Sequence, residues 1–227
     1  MTSLIKTTHG YELIASQSPV TCYPLLSHGT ELSDIIAKEL VTPLDIVAGF
    51  LFSSLGTSHE PRLGLKKALP RAGRFDDSLS ARSLGEALNT SRPEIHALSA
   101  GLLQCVDHWS ASHEEAQAIE TGPAASLGAW WHAIAHRREP DAFNAKYWVR
   151  KAGAWPEVAN MALIQLIKRD EYEASSRFVV GDKWKPELFF DAIASPKLES
   201  GAEHSLKRLQ RLEILALLEA TWHAVLS

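Results

Sequence analysis

Cysteine is nearly absent: the 227-residue chain has only Cys22 and Cys105, in no CxxC arrangement. That excludes a disulfide framework and a dithiol redox pair, and it leads us to expect a reducing, cytoplasmic setting. Basic blocks are missing too. The 23 Lys and Arg are scattered through a chain of net charge −4, which lacks the electrostatic footprint of a nucleic-acid binder. No apolar run approaches the ~18 residues that span a bilayer. Met1 to His9 has neither the basic stretch nor the apolar core of a secretory signal, so neither secretion nor a membrane partner is expected. GxGxxG, GxxxxGK[ST] and GxSxG are absent as well, so nicotinamide, nucleoside-triphosphate and α/β-hydrolase chemistry lack their usual markers.

What remains is an ordinary globular composition, 45 % hydrophobic and 22 % charged, long enough to bury a core. The expectation is a single helical domain over residues 1–227, folding alone or as a homodimer. Helical periodicity dominates the second half. Ile95, Leu98, Leu102, Val106 and Trp109 recur at steps of three and four behind a start signal of Ser91, Pro93 and Glu94. Ser112 and Glu115 make a capping-box pattern before a short helix from His113 to Glu120. Another helix runs from Pro123 to Arg138 and stops at Pro140, and Asp141 caps a further one through Lys151 that ends at Gly153.

Pro156 opens a helix with apolar residues around most of its circumference, which reads as central to the core. A last amphipathic helix spans 203–226. Before residue 90 only Glu31 to Leu40 and Ser80 to Leu88 look helical, Leu55 to Asp77 reads as a long loop, and Phe178 to Val180 is too short to establish a sheet. The fold class is therefore all-α (mainly α): a compact multi-helix bundle, with a loop-rich part at 1–90 and a helical core at 91–227.

One segment is chemically dense. His108, His113, His132 and His136, four of the ten histidines, fall between 108 and 136, and Trp109, Trp130, Trp131, Trp148 and Trp155 account for five of the seven tryptophans. At about 100° per residue His132 and His136 lie roughly 40° apart on one helix face, with Glu139 roughly 20° to the other side. Leu127, Trp131 and Ile134 mark the opposite face and Ala129, Ala133 and Ala135 allow close packing, so these histidines should be buried. A buried imidazole needs a partner, because an unsatisfied polar group costs about 1–3 kcal/mol.

Three answers follow. In the first, His113 and His132 move protons, His136 and Glu139 orient them, and Arg137, Lys146 and Tyr147 stabilise negative charge on oxygen. Trp109, Trp130, Trp131, Trp148 and Asn144 would then line the substrate pocket. That describes a cofactor-free lyase, isomerase or cyclase acting on an apolar or carbonyl-containing small molecule. In the second, His113, His132, His136 and Glu139 hold a divalent metal such as Zn, Mn or Fe, as in a metal-dependent hydrolase or another metalloenzyme. In the third, the protein is a non-catalytic small-molecule carrier or interaction protein and the polar residues form a turn-stabilising network. Cys105, Arg138 and Lys151, together with His96, His108, His204 and His223, fit structural or surface roles in every case.

Trp131-His132, His136-Arg137-Arg138-Glu139, Asp141 and Asn144-Ala145-Lys146-Tyr147-Trp148 together resemble the signature of a family of uncharacterised bacterial and fungal all-α proteins of about this length. The likeness extends from Ser112-His113 and Gln117 through Gly153, and more loosely to Gln210, Glu213, Leu217 and Leu218. The family pattern has a tryptophan after the late glutamate, where this chain has Ile214. The resemblance implies that the central segment is one unit and implies no reaction.

Overall fold

A computed structural model describes residues 3–7, 10–14, 79–105, 108–169, 177–194 and 200–227. Among the described residues are eight α-helices, which pack together, and two short antiparallel hairpins: the protein is mainly helical, as its periodicity predicts. The first hairpin pairs β1 (Ser3–Thr7) with β2 (Gly10–Ile14), opposing Ser3 to Ile14 and Thr7 to Gly10. It replaces part of the N-terminal stretch expected to hold only helices and loops. The expected helix at Glu31 to Leu40 and the loop at Leu55 to Asp77 lie outside the described residues.

Helix α1 (Ala81–Leu88) begins at Ser80, whose hydroxyl accepts from the Ser83 amide, and ends at Asn89 in the left-handed conformation. It leads to α2 (Glu94–Cys105), almost every residue of which is buried. The next helix departs from expectation: α3 spans Trp109–Gln117, starting before Ser112 rather than at it. Ser112 and Glu115 do not form a capping box because tertiary partners take both. Ser112 accepts from Gln104, while Glu115 accepts from the Ala81 amide and pairs with His96 at 2.6 Å.

Helix α4 (Ala125–Arg138) is the true centre, buried without interruption from Gly128 to Arg138. Helix α5 (Ala142–Ala152) is capped as its sequence indicates, with Asp141 accepting from the Asn144 amide and Gly153 at φ 80° closing it. Helix α6 (Glu157–Arg169) buries Ala159 and Leu163 but leaves Met161 53 % exposed, so it rests on the bundle by one face and is not the core helix its composition suggests. A two-residue hairpin, β3 (Val179–Val180) with β4 (Lys183–Trp184), gives the Phe178 region a minimal sheet, and α7 (Pro186–Ala194) follows.

The last helix, α8 (Ser200–Leu226), packs against α2 and α6. Its approach to α2 and α4 is close enough that a Cβ at Gly101 would meet Leu218 Cδ2 and Trp131 Cζ2, both at 2.6 Å. Trp131 Nε1 donates to Thr221 Oγ1 at 3.1 Å, satisfying the indole inside this apolar contact. With α3 and α5 also packed on it, α4 is surrounded, and its buried polar side chains find their partners on the neighbouring helices.

Candidate functional site: three convergent histidines

Three successive residues near the end of α4 point, at about 100° intervals, to three different sides of the bundle. Arg138 turns to α2, donating from Nη1 to the Gln104 carbonyl at 2.8 Å and to Gln104 Oε1 at 2.6 Å. Arg137 turns to α7 and α8. His136, with His132 one turn before it, faces α3 and α5.

On that last face His113, from α3, completes a triad. His113 Nε2 lies 2.7 Å from His132 Nε2 and 3.3 Å from His136 Nε2, and the ligand atoms of all three rings fall within 4.8 Å of one another. The rings of His132 and His136 are near parallel, 10° apart, and His113 stands edge-on to both. His132 is 2 % and His136 9 % exposed, while His113 is half-buried and is the accessible member.

Aromatic rings frame the group. Trp148, from α5, stacks on His132 with centroids 3.8 Å apart, and Trp109 meets His113 edge to face at 6.4 Å. Lys151 Nζ sits 4.2 Å from the centre of the Trp148 ring. Burial, then the neighbouring His113 and His136, then Lys151, hold the His132 pKa down to about 3. The His113 pKa is also lowered, first by burial and then by His136, against the opposing pull of Glu139, Glu114 and Glu120. Both rings are thus kept neutral, the state in which an imidazole nitrogen is a ligand.

The outer edges of the rings differ. Glu139 Oε2 is 3.4 Å from His136 Nδ1, at ion-pair distance but without an aligned hydrogen bond. It lies behind His136, on the edge away from the convergent Nε2 atoms, and does not join the group of ligand atoms. His132 Nδ1 is buried without a partner.

The remaining sequence-derived candidates go elsewhere. Arg137 is buried between Phe189 and Phe190, 4.9 and 4.7 Å from their ring centres, and meets Glu213 at 2.6 Å. Glu213 also accepts from Trp184 Nε1 at 3.3 Å. Lys146 pairs with Asp191 at the surface, and Tyr147 is 48 % exposed with its ring edge-on to Trp148. Asn144 donates to Asp141 in the α5 cap. Trp130 packs against Trp155 and donates to the Ala154 carbonyl, and Trp131 is committed to Thr221. Of the five expected pocket residues, Trp109 and Trp148 alone touch the triad in ring contacts.

Two contributors are missing from the sequence-derived set. Gln104 and Ser112 are fully buried and hydrogen-bonded to each other, linking Arg138 to the residue that precedes His113. A glutamine inside the apolar run Leu102-Leu103-Gln104-Cys105 is the signal that marks the first of them. Compared with protein-family models, curated proteins and solved structures, the chain matches none. No helix among the described residues is long and apolar enough to cross a membrane.

Proposed function

We propose that this protein is a metalloenzyme, with His113, His132 and His136 as the ligands of one divalent ion and a small carbonyl-containing molecule as substrate. The observation that carries this reading is the convergence of three Nε2 atoms from two helices. Tetrahedral coordination with bonds of about 2.0–2.1 Å places ligand nitrogens about 3.3–3.4 Å apart. His113 and His136 already stand at 3.3 Å, His132 needs to open from its 2.7 Å approach to His113, and the widest separation in the group, within 4.8 Å, needs to close. Three protein ligands leave a fourth position for water or substrate, as in catalytic rather than structural sites.

The donor set narrows the ion. Imidazole nitrogens suit Zn or Fe, whereas Mn prefers oxygen. Once bound, such an ion supplies an acidified water or a polarised carbonyl, the chemistry of hydrolysis and hydration. The protein's own part is to hold two rings on one rigid helix, to keep Glu139 3.4 Å from His136 Nδ1, where a small shift would let it accept from that ring and orient it, and to wall the site with Trp148 and Trp109. Substrate would approach beside His113, the least buried ligand. A metal-free lyase, isomerase or cyclase is less well supported: with its pKa held down to about 3, His132 is a poor proton carrier near neutrality, which leaves His113 alone of the two acid–base candidates.

Full-length protein purified without chelator and dialysed against Zn(II) should retain about one ion per chain by mass spectrometry. It should also hydrolyse simple activated esters, such as p-nitrophenyl acetate, in an ion-dependent way. His113→Ala and His136→Ala variants should lose both properties while keeping their helical content. Protein that takes up no ion would refute the metal site, and ion binding without any ion-dependent turnover across ester and amide panels would refute the enzyme.

A further inference from the structure

We propose that the buried relay Ser112–Gln104–Arg138 is the positioning element of the triad: it fixes where His113 stands relative to His132 and His136, and thereby sets the affinity for the ion. This rests on the metal reading given above. Two of the three nitrogens come from one helix, where the spacing of His132 and His136 is settled by the backbone. The third comes from α3, so the site exists only while α3 keeps its register against α4. Small displacements matter there, since the separations involved are 2.7 and 3.3 Å.

The relay ties these elements next to the ligands. Arg138 lies two residues beyond His136, and Ser112 immediately precedes His113. Arginine only donates, so the amide oxygen of Gln104 must accept from Arg138 Nη1, at 2.6 Å. That orients the Gln104 Nε2 hydrogens towards Ser112 Oγ, which accepts at 2.8 Å. A second bond from Arg138 Nη1 to the Gln104 carbonyl, 2.8 Å, ties the same guanidinium to the end of α2. Ser112 and Gln104 are fully buried and Arg138 is 4 % exposed, so water does not compete for these bonds. An apolar trio of similar volume would fill the space, but it would not impose a direction. The polar chain admits one arrangement, and in it His113 faces α4.

Zn(II) affinity of the full chain, measured by competition with a chromophoric chelator, tests the relay. Ser112→Ala removes the acceptor, and Gln104→Met keeps the volume while removing both side-chain bonds, to Ser112 and to Arg138. Both should weaken binding by about 10-fold or more, the usual consequence of losing support behind a ligand. Ser112→Thr, which keeps the hydroxyl, should stay near the wild-type value. Circular dichroism and thermal unfolding of the ion-free variants establish that they fold; should Ser112→Ala not fold, Gln104→Met decides the question. Tight Zn(II) binding by wild type together with unchanged affinity in folded Gln104→Met overturns the relay alone. Equal weakening in Ser112→Ala and Ser112→Thr overturns it as well, by attributing the effect to packing. A wild-type chain that binds no Zn(II) overturns both the relay and the metal site.

Discussion

His136 and Arg137 are neighbours in sequence, yet they belong to two buried clusters of opposite character. Arg137 and Glu213 are both nearly inaccessible, and burial lowers the pKa of the one and raises that of the other while their mutual attraction opposes both shifts. The guanidinium is bracketed by Phe189 and Phe190, and Trp184 donates to the carboxylate. Opposite charges answer each other there, and the cluster joins α4 to α8. The histidine triad has no such opposition of charge: its rings meet through the His113–His132 and His113–His136 Nε2···Nε2 hydrogen bonds, and His132 leaves a buried Nδ1 without a partner. One cluster balances its charges, although Arg137 Nε and Nη2 are buried there without a hydrogen-bond partner. On the proposed reading, a bound ion would complete the other.

The largest expected effect separates them at once. Arg137→Ala strands Glu213 in the core and should cost about 3–5 kcal/mol in urea unfolding, the usual penalty for halving a buried ion pair. Arg137→Met combined with Glu213→Leu should recover most of that loss. A single-variant cost below about 1 kcal/mol would show that the pair is not the support it resembles.

The triad should respond to ion instead. Zn(II) at about 100 times its dissociation constant stabilises a site present only in the folded state by about 2.7 kcal/mol. Thermal unfolding with and without Zn(II) should reveal that gain in wild type and Arg137→Met/Glu213→Leu but not in His113→Ala. An equal gain in His113→Ala would place the ion elsewhere.

Acid should act on the triad next. In ion-free protein the folded pKa of His132 is about 3, below the unfolded 6.5, so between these values the unfolded chain binds more protons. This contribution to stability therefore declines as pH falls from about 6.5 towards 3 and is constant above that window. Urea unfolding at several pH values should show a shallower decline in His132→Asn, and parallel slopes would remove His132 from the account. The smallest effect belongs to the surface. Lys146→Ala breaks an exposed pair with Asp191 and should change stability by no more than about 1 kcal/mol, with Zn(II) affinity unaltered.

Legibility followed sequence distance. The Asp141 and Gly153 caps of α5 and the shared face of His132 and His136 are local consequences of helix geometry, and they stand where spacing predicts them. Local signals misled where tertiary partners claimed the same atoms. Ser112 and Glu115 carry a capping-box pattern, but Gln104, His96 and the Ala81 amide take them, and α3 begins at Trp109. The apolar composition of α6 likewise gave no warning that Met161 faces solvent. Arg137 reads as a site residue because it follows His136, although a helix turns it about 100° away and its partner, Glu213, lies on the last helix. That His113 meets the α4 pair depends on how α3 docks, which no spacing rule supplies.

X-ray absorption spectroscopy of the Zn(II)-loaded full chain tests the central claim most directly. The expected first shell is three imidazole nitrogens and one light atom at about 2.0–2.1 Å, falling to two imidazoles in His113→Ala. A shell with fewer than three imidazoles in wild type, or one unchanged by His113→Ala, would contradict the assignment of these three histidines as an ion site.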